Sequence, residues 1–215
     1  METTNCSYSD NLRFLRAWAG DPLRVAAVAP SSRSLASLMT SELGAVHGPV
    51  IELGPGTGVF TRAMIERGVR ESDLTLVERG PEFAAMLRQR FPEARVLEID
   101  AARLGRHALF PQAEAAAVVS GLPLLSMPPR KIMAILAGAF SYVRPTGCFY
   151  QFTYGPRCPV PRPILDRLGL KAVRTGGTFR NIPPAAVYRV SRRGPFDQVE
   201  LAGRSTTREE AHIAG

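Results

Sequence analysis

A short glycine-rich segment flanked by acidic residues is the group in this sequence best suited to hold a ligand. It follows the apolar run at residues 50–53, which contains Glu52, and Glu78 ends the next apolar run. The glycines occupy alternate positions: Gly54, Gly56 and Gly58. Glycine permits turns at positive φ and lets the backbone lie against a ligand. Where a strand passes into a helix, such a turn presents backbone N–H groups and the positive helix end. The pattern predicts a nucleotide-type site.

The spacing of the glycines favours one cofactor over others. A dinucleotide fingerprint reads G-x-G-x-x-G and binds a pyrophosphate. The third glycine is absent from that offset here, and there is no G-x-x-x-x-G-K-[ST] loop for a nucleoside triphosphate. Glu52 would repel a phosphate but can pair with a cation, such as the amino-acid portion of S-adenosylmethionine. Glu78 would then hold the ribose hydroxyls. We therefore predict S-adenosylmethionine as the cofactor and S-adenosylhomocysteine as its product.

Two further strand ends are expected to border the cofactor crevice. Asp100 and Ala101 follow the third strand, where an acid can accept a hydrogen bond from the adenine amine. Capping of the next segment is the alternative role for Asp100. The fourth strand runs into Ser120, Gly121 and Leu122. This turn is expected beside the transferable methyl group, and an ordinary strand-ending turn is its alternative interpretation.

These motifs lie in a regular alternation of apolar and helical runs. The pattern predicts strands at 50–53, 74–78, 95–98, 115–119 and 147–154 and helices at 58–68, 81–91 and 129–142. A helix at about 34–43 is expected after a break at 30–33. Such alternation predicts an α/β fold with a doubly wound, Rossmann-like, mostly parallel sheet. Runs around 170–174 and 185–190 are expected to close the sheet as an antiparallel pair.

The length of 215 residues suits one domain. We divide it into N-terminal helices at 1–48, a cofactor-binding core at 49–191 and a polar, frayed tail at 192–215. The first residues are polar, and no apolar stretch reaches the ~18 residues of a membrane span; we expect a cytoplasmic protein. The cysteines and histidines are scattered without metal-ligand spacing. We predict no metal site.

Residues 8–20 have the pattern of an amphipathic helix. Its membrane-binding candidates are Leu12, Arg13, Leu15, Arg16 and Trp18. Arginine and tryptophan beside an apolar face suit insertion at a lipid interface. The alternative is that this helix covers one edge of the core.

The net charge of +8 is concentrated in one segment of the chain. Residues 156–193 contain nine basic side chains and a single acid, Asp166. A positive surface suited to anionic lipid or nucleic acid is predicted. A solvated basic face without a partner is the alternative.

The glycine motif followed by Glu78 resembles the first two motifs of the class I methyltransferases. Six longer segments are together similar to the bacterial phospholipid N-methyltransferases: 14–18, 28–33, 52–58, 120–124, 151–154 and 181–185. That similarity runs from about residue 11 to 190. It implies methyl transfer from S-adenosylmethionine to the amine of phosphatidylethanolamine, and onward through the mono- and dimethyl lipids to phosphatidylcholine. It also implies a peripheral location on the inner face of the cytoplasmic membrane.

The contacts to the lipid substrate are hypotheses within this resemblance. Arg33 can bind the lipid phosphate through forked hydrogen bonds, and Tyr8 is a second substrate candidate. We expect Gln151 and Tyr154 to share the face of the fifth strand opposite Phe152, where Tyr154 can orient the amine or bind a methylated ammonium. No residue is an evident general base; His107 and Tyr154 are weak candidates.

Two competing functions remain open at the level of sequence. RNA adenine dimethyltransferases have a similar first motif, but they carry Asn-x-Pro-aromatic at the fourth motif, where the aromatic ring stacks on a flipped base. Here residues 120–124 read Ser-Gly-Leu-Pro-Leu. A non-catalytic, cofactor-binding membrane adaptor would share the basic segment and the amphipathic helix. We expect a monomer that binds anionic lipid surfaces and no nucleic acid.

Overall fold

Buried runs of the sequence form the sheet. The computed structural model describes residues 30–45, 48–110, 113–154, 157–178 and 184–194. The strands in these residues are β1 (Val50–Leu53), β2 (Leu74–Glu78), β3 (Arg95–Glu98), β4 (Ala115–Ser120), β5 (Val143–Tyr154), β6 (Leu170–Thr178) and β7 (Ala185–Arg192). Every residue of β1 and β4 is buried, as expected of central strands that are covered on both faces.

The strands form one sheet in the order β3-β2-β1-β4-β5-β7-β6. The pairs from β3 to β5 are parallel, and β7 is antiparallel to both β5 and β6. The strand order reverses between β1 and β4. In doubly wound sheets, ligands bind outside the carboxyl ends of the strands at such a reversal. The predicted fold class, including its antiparallel C-terminal pair, is confirmed.

Helices cover both faces of the sheet. They are α1 (Pro30–Met39), α2 (Val59–Glu66), α3 (Pro81–Arg90), α4 (Pro129–Tyr142) and α5 (Arg162–Arg167). Short 3-10 segments also occur, of which Ala101–Arg106 is the longest in the described residues. One core lies between the sheet and α1, α2 and α3. The other lies between the sheet and α4, α5 and the Ala101–Arg106 segment.

The bounds of most elements agree with the sequence prediction to within two residues. Strand β6 extends four residues further than predicted, to Thr178, and α1 and β5 also differ by four. The helix α1 begins at Pro30 and ends at Met39, whereas 34–43 was expected. Proline is well suited to the first position of a helix, so Pro30 starts this helix instead of separating it from the preceding segment. Strand β5 begins at Val143 and not at residue 147. Its first residues pair with β4 across an irregularity between Ala115 and Ala117, which apolar patterning does not reveal.

Several predictions lie outside the described residues. The amphipathic helix at 8–20, with Tyr8 and the membrane-binding candidates, is one; the tail beyond residue 194 is another. They stay predictions. Within the described ranges, no helix has the length and apolar character needed to cross a membrane.

Candidate cofactor and acceptor site

The three glycines after β1 have different surroundings. All have positive φ, at 67°, 54° and 79° for Gly54, Gly56 and Gly58. A Cβ added to Gly54 would lie 2.6 Å from Leu122 Cδ2, and one added to Gly58 would lie 2.5 Å from Phe91 Cε2. A Cβ added to Gly56 would meet no atom within 4 Å. Gly54 and Gly58 therefore permit internal packing, whereas Gly56 borders open space that a ligand can fill.

Glu78 connects the end of β2 to this glycine loop. The Gly56 N–H donates to Glu78 Oε2 at 3.2 Å, and the Gly80 N–H donates to Glu78 Oε1 at 2.8 Å. The carboxylate thus lies beside the open space at Gly56. A carboxylate oxygen can accept more than one hydrogen bond. The arrangement fits the predicted role of Glu78 as an acceptor for ribose hydroxyls.

Glu52 lies beneath the loop and is completely buried. Its Oε2 accepts a hydrogen bond from the Thr61 hydroxyl at 2.5 Å. Its Oε1 receives no hydrogen bond in the described part of the chain. Burial, with a smaller contribution from the Glu78 charge, raises the pKa of Glu52 from its usual 4.5 to about 8, although the Thr61 hydrogen bond opposes this shift. A bound ammonium would supply both a donor and a positive charge, which favour the ionised carboxylate.

Asp100 caps the segment that follows β3. Its Oδ1 accepts from the Ala102 N–H at 2.9 Å, and its Oδ2 pairs with Lys131 Nζ at 2.8 Å. Burial opposes ionisation of Asp100, but the Lys131 ammonium and the Ala102 N–H outweigh it and lower its pKa. The capping alternative therefore describes Asp100 in this structure, with Ala101 buried as the first residue of the 3-10 segment. Contact with an adenine amine stays a prediction.

The turn after β4 packs directly on the glycine loop. The Gly121 N–H donates to Leu53 O at 2.8 Å, and a Cβ on Gly121 would lie 2.7 Å from Gly54 O. Ser120 Oγ accepts a long hydrogen bond of 3.4 Å from the Leu122 N–H. Leu122 O in turn accepts from Gln151 Nε2 at 2.9 Å. These contacts join the predicted methyl-transfer turn to both the cofactor loop and β5.

The expectation that Gln151 and Tyr154 share a face of β5 was wrong. Side chains alternate along a strand, so Phe152 and Tyr154 share one face and Gln151 lies on the other. The rings of Phe152 and Tyr154 pack edge to face with centroids 5.4 Å apart, and Phe60 of α2 packs on Phe152 at 5.9 Å. Burial raises the pKa of Tyr154. Tyr154 belongs to an aromatic cluster on the α2 side, to which Phe60 contributes from a distant part of the sequence.

Two other candidates have clear positions. Arg33 lies on the exposed side of α1. His107 lies near the opposite end of α4 from the cofactor loop, since its backbone carbonyl accepts a hydrogen bond from Tyr142 at the end of that helix. Lys131, in the first turn of the same helix, pairs with Asp100. At 1.5 Å per residue the two ends are separated by about 16 Å, so His107 is not placed to deprotonate an acceptor at the loop.

The chain resembles known methyltransferases in sequence and in structure. Residues 50–147 match the family model described as "Methyltransferase domain". An ornithine lipid N-methyltransferase of Singulisphaera acidiphila is 29% identical over 171 residues, covering 76% of this chain and 86% of the relative. A ribosomal RNA small subunit methyltransferase A of Parabacteroides distasonis is 42% identical over 65 residues, covering 29% of this chain and 23% of that protein.

Among solved structures, the 1,6-didemethyltoxoflavin-N1-methyltransferase of Burkholderia thailandensis is similar with a TM-score of 0.62. It is 19% identical, the match covers 90% of this chain and 92% of that one, and the structure contains 1,6-didemethyltoxoflavin and S-adenosylhomocysteine. The fold is that of the class I methyltransferases. S-adenosylmethionine, predicted from the glycine loop and its two acids, is the cofactor of such a domain. The family match, the relative and the fold together support S-adenosylmethionine-dependent methyltransferase activity, and the acceptor is a separate question.

Proposed function

We propose that this protein transfers methyl groups from S-adenosylmethionine to the amine of a membrane lipid. The proposed acceptors are phosphatidylethanolamine and its mono- and dimethyl derivatives, and the final product is phosphatidylcholine. The observation that carries the proposal is the extent of the similarity to the ornithine lipid N-methyltransferase. It covers 76% of this chain, well beyond the methyltransferase domain at 50–147.

Some residues of the site would bind the cofactor, and others would position the acceptor. When bound, S-adenosylmethionine supplies an electrophilic methyl group on a sulfonium. Glu52 would bind the ammonium of the cofactor, Glu78 its ribose, and the backbone at Gly56 would lie against it. The turn after β4 borders the acceptor. Methyl transfer requires an in-line approach and an unprotonated amine, so positioning supplies much of the rate enhancement.

An ornithine lipid is a second candidate acceptor, because the name of the same relative states it. Like phosphatidylethanolamine, an ornithine lipid carries a primary amine. RNA is a competing acceptor because of the short match to the ribosomal RNA methyltransferase. That match covers less than a third of this chain, and the turn after β4 lacks an aromatic residue to stack on a flipped base.

Attachment to a membrane surface is part of the proposal, and contacts within the protein reduce the number of arginines available to attract anionic lipid. Several basic residues of the segment 156–193 are bound internally. Arg162 and Arg193 pair with Asp166, and Arg189 pairs with Glu42. Arg192 donates to the carbonyls of Phe140 and Arg144. The predicted positive surface is therefore reduced in the described residues, and the arginines of residues 8–20 become the more important candidates for contact with anionic lipid. Arg33, exposed on α1, stays a candidate for contact with lipid phosphates of the surrounding membrane surface.

The test is a methylation assay with radiolabelled S-adenosylmethionine. Three acceptors are compared at matched concentration: phosphatidylethanolamine vesicles, vesicles containing an ornithine lipid, and small-subunit ribosomal RNA. We expect label in the lipid fraction. The lipid that gains label identifies the acceptor, and mass spectrometry counts the methyl groups. Label in RNA alone would refute the proposal. Cofactor binding with no label in any fraction would favour the adaptor function.

A further inference from the structure

A row of side chains extends from the glycine loop across five strands to the protein surface. Each residue is the register partner of the next: Leu53 of β1, Ser120 of β4, Gln151 of β5, Tyr188 of β7 and Arg174 of β6. Directly paired residues project from the same face of a sheet. The row begins at the carboxyl end of β1, where the glycine loop starts. Beyond Leu53 it is polar, and it contains no acid.

Gln151 lies in the middle of this row with its amide orientation fixed. Its Nε2 donates to Leu122 O at 2.9 Å and to Phe152 O at 2.8 Å. Its side chain is 1% exposed, and its Oε1 receives no hydrogen bond from the described residues. Thr153, two positions along the same face, also has a buried hydroxyl without a partner in this part of the chain. Buried polar atoms are nearly always satisfied, because leaving one unpaired costs about 1–3 kcal/mol. A ligand N–H can satisfy Oε1.

Arg174 lies at the outer end of the row and is exposed. Its guanidinium lies against Gly177, and its Nε donates a long hydrogen bond of 3.5 Å to Gly176 O. Two strand spacings separate its backbone from that of Gln151, about 10 Å. Among the described residues no carboxylate pairs with this guanidinium, which is therefore well suited to bind a phosphate or carboxylate through paired hydrogen bonds.

We propose that this row receives a zwitterionic headgroup, with its amine at Gln151 Oε1 and its anionic group at Arg174. The inference rests on the proposed function, because it assumes an amine acceptor. Phosphatidylethanolamine carries a phosphate close to its amine, and an ornithine lipid carries a carboxylate. Both supply the same pair of charges. Gln151 contacts the nitrogen beside the methyl-transfer turn, and Arg174 selects acceptors that carry a nearby negative charge.

The decisive variant is Arg174→Ala, compared with the control Arg167→Ala. Arg167 is an exposed arginine of α5 in the same basic segment. The acceptors are phosphatidylethanolamine, an ornithine lipid and a long-chain alkylamine without an anionic group, each in the same neutral detergent micelles. We expect Arg174→Ala to lower kcat/KM about 10- to 100-fold for the lipid whose anion it binds, the scale for a hydrogen bond to a charged group. The alkylamine should change by less than about twofold, as should every acceptor with Arg167→Ala.

A second variant tests the inner end of the row. Gln151→Leu removes the amide and should lower kcat/KM for all three acceptors, because each presents an amine. Cofactor affinity, measured by calorimetry, should be unchanged in Arg174→Ala, and thermal unfolding verifies that both variants fold. Equal behaviour of Arg174→Ala and Arg167→Ala would overturn the inference while the wild type still methylates lipid. A wild type that labels neither lipid would instead refute the proposed function. If only one lipid responds to Arg174→Ala, its phosphate or carboxylate is the group recognised.

Discussion

Substitution of Gly56 separates cofactor binding from folding. An added Cβ at Gly56 meets no protein atom within 4 Å, so the residue is free to change without an internal clash. Its φ of 54° costs an L-residue about 1–2 kcal/mol. For a chain of this size that cost lowers Tm by about 2–8 °C. Gly56→Val fills the space assigned to the cofactor, and overfilling of a packed site costs about 1–3 kcal/mol or more. We expect affinity for S-adenosylmethionine to fall at least about fivefold.

Gly58→Ala is the matched control for this prediction. It carries a similar left-handed penalty, with a φ of 79°, and its Cβ would lie 2.5 Å from Phe91. The clash adds about 1–3 kcal/mol, so Tm should fall by about 4–20 °C. Calorimetry for affinity and thermal unfolding for stability measure the two effects. Gly56→Val should mainly affect binding and Gly58→Ala mainly stability. Unchanged cofactor affinity in Gly56→Val would show that the cofactor lies elsewhere.

Three further perturbations test neighbouring parts of the argument. Glu78→Ala should weaken cofactor binding by about 1–3 kcal/mol, the scale for losing a charge-assisted hydrogen bond. A near-wild-type affinity in calorimetry would show that another residue binds the ribose. Burial raises the pKa of Glu52 from 4.5 to about 8, so the native state holds this proton more tightly than the unfolded chain does. Stability from this group is full below pH 4.5 and is lost as the pH rises towards 8. The free energy of unfolding of Glu52→Gln should therefore fall less than that of the wild type as the pH rises from 4.5 to 8. Parallel pH profiles of the two proteins would contradict the buried position of Glu52. Arg13→Glu/Arg16→Glu should reduce flotation with anionic vesicles, because each basic residue near such a surface contributes about 1 kcal/mol. Equal flotation on neutral vesicles would leave residues 8–20 as a structural cover.

The central strands β1, β2 and β4 could be predicted from the sequence because they are short and almost wholly buried. Strands 50–53, 74–78 and 95–98 and helix 129–142 have their predicted bounds. Strands 50–53 and 74–78 are delimited by glycine, proline or charged residues that end an apolar run. The glycine loop was equally visible, since it follows the first strand directly. Apolar runs and turn residues were sufficient to predict these elements because neighbouring residues in the sequence determine them.

The site could be predicted less completely because its details depend on contacts distant in sequence. Nothing in the spacing of the glycines distinguishes Gly56 from Gly58, which Phe91 approaches from the end of α3. The net charge of segment 156–193 could not show that Glu42 neutralises Arg189 across 147 positions of the chain. Tyr154 was assigned to the wrong face, an error that strict alternation along β5 would have prevented.

The position of β7 between β5 and β6 has a consequence for synthesis of the chain. Strand β6 is made first but has no neighbour until residues 185–192 emerge and pair with both strands. Until then β5 presents an open edge, a ready template for pairing with another chain. Arg192, the last residue of β7, also donates to the carbonyl of Phe140 near the end of α4. Ribosomes that stall before this strand would therefore release a product prone to aggregate, even though its entire glycine loop and both acids had already been made.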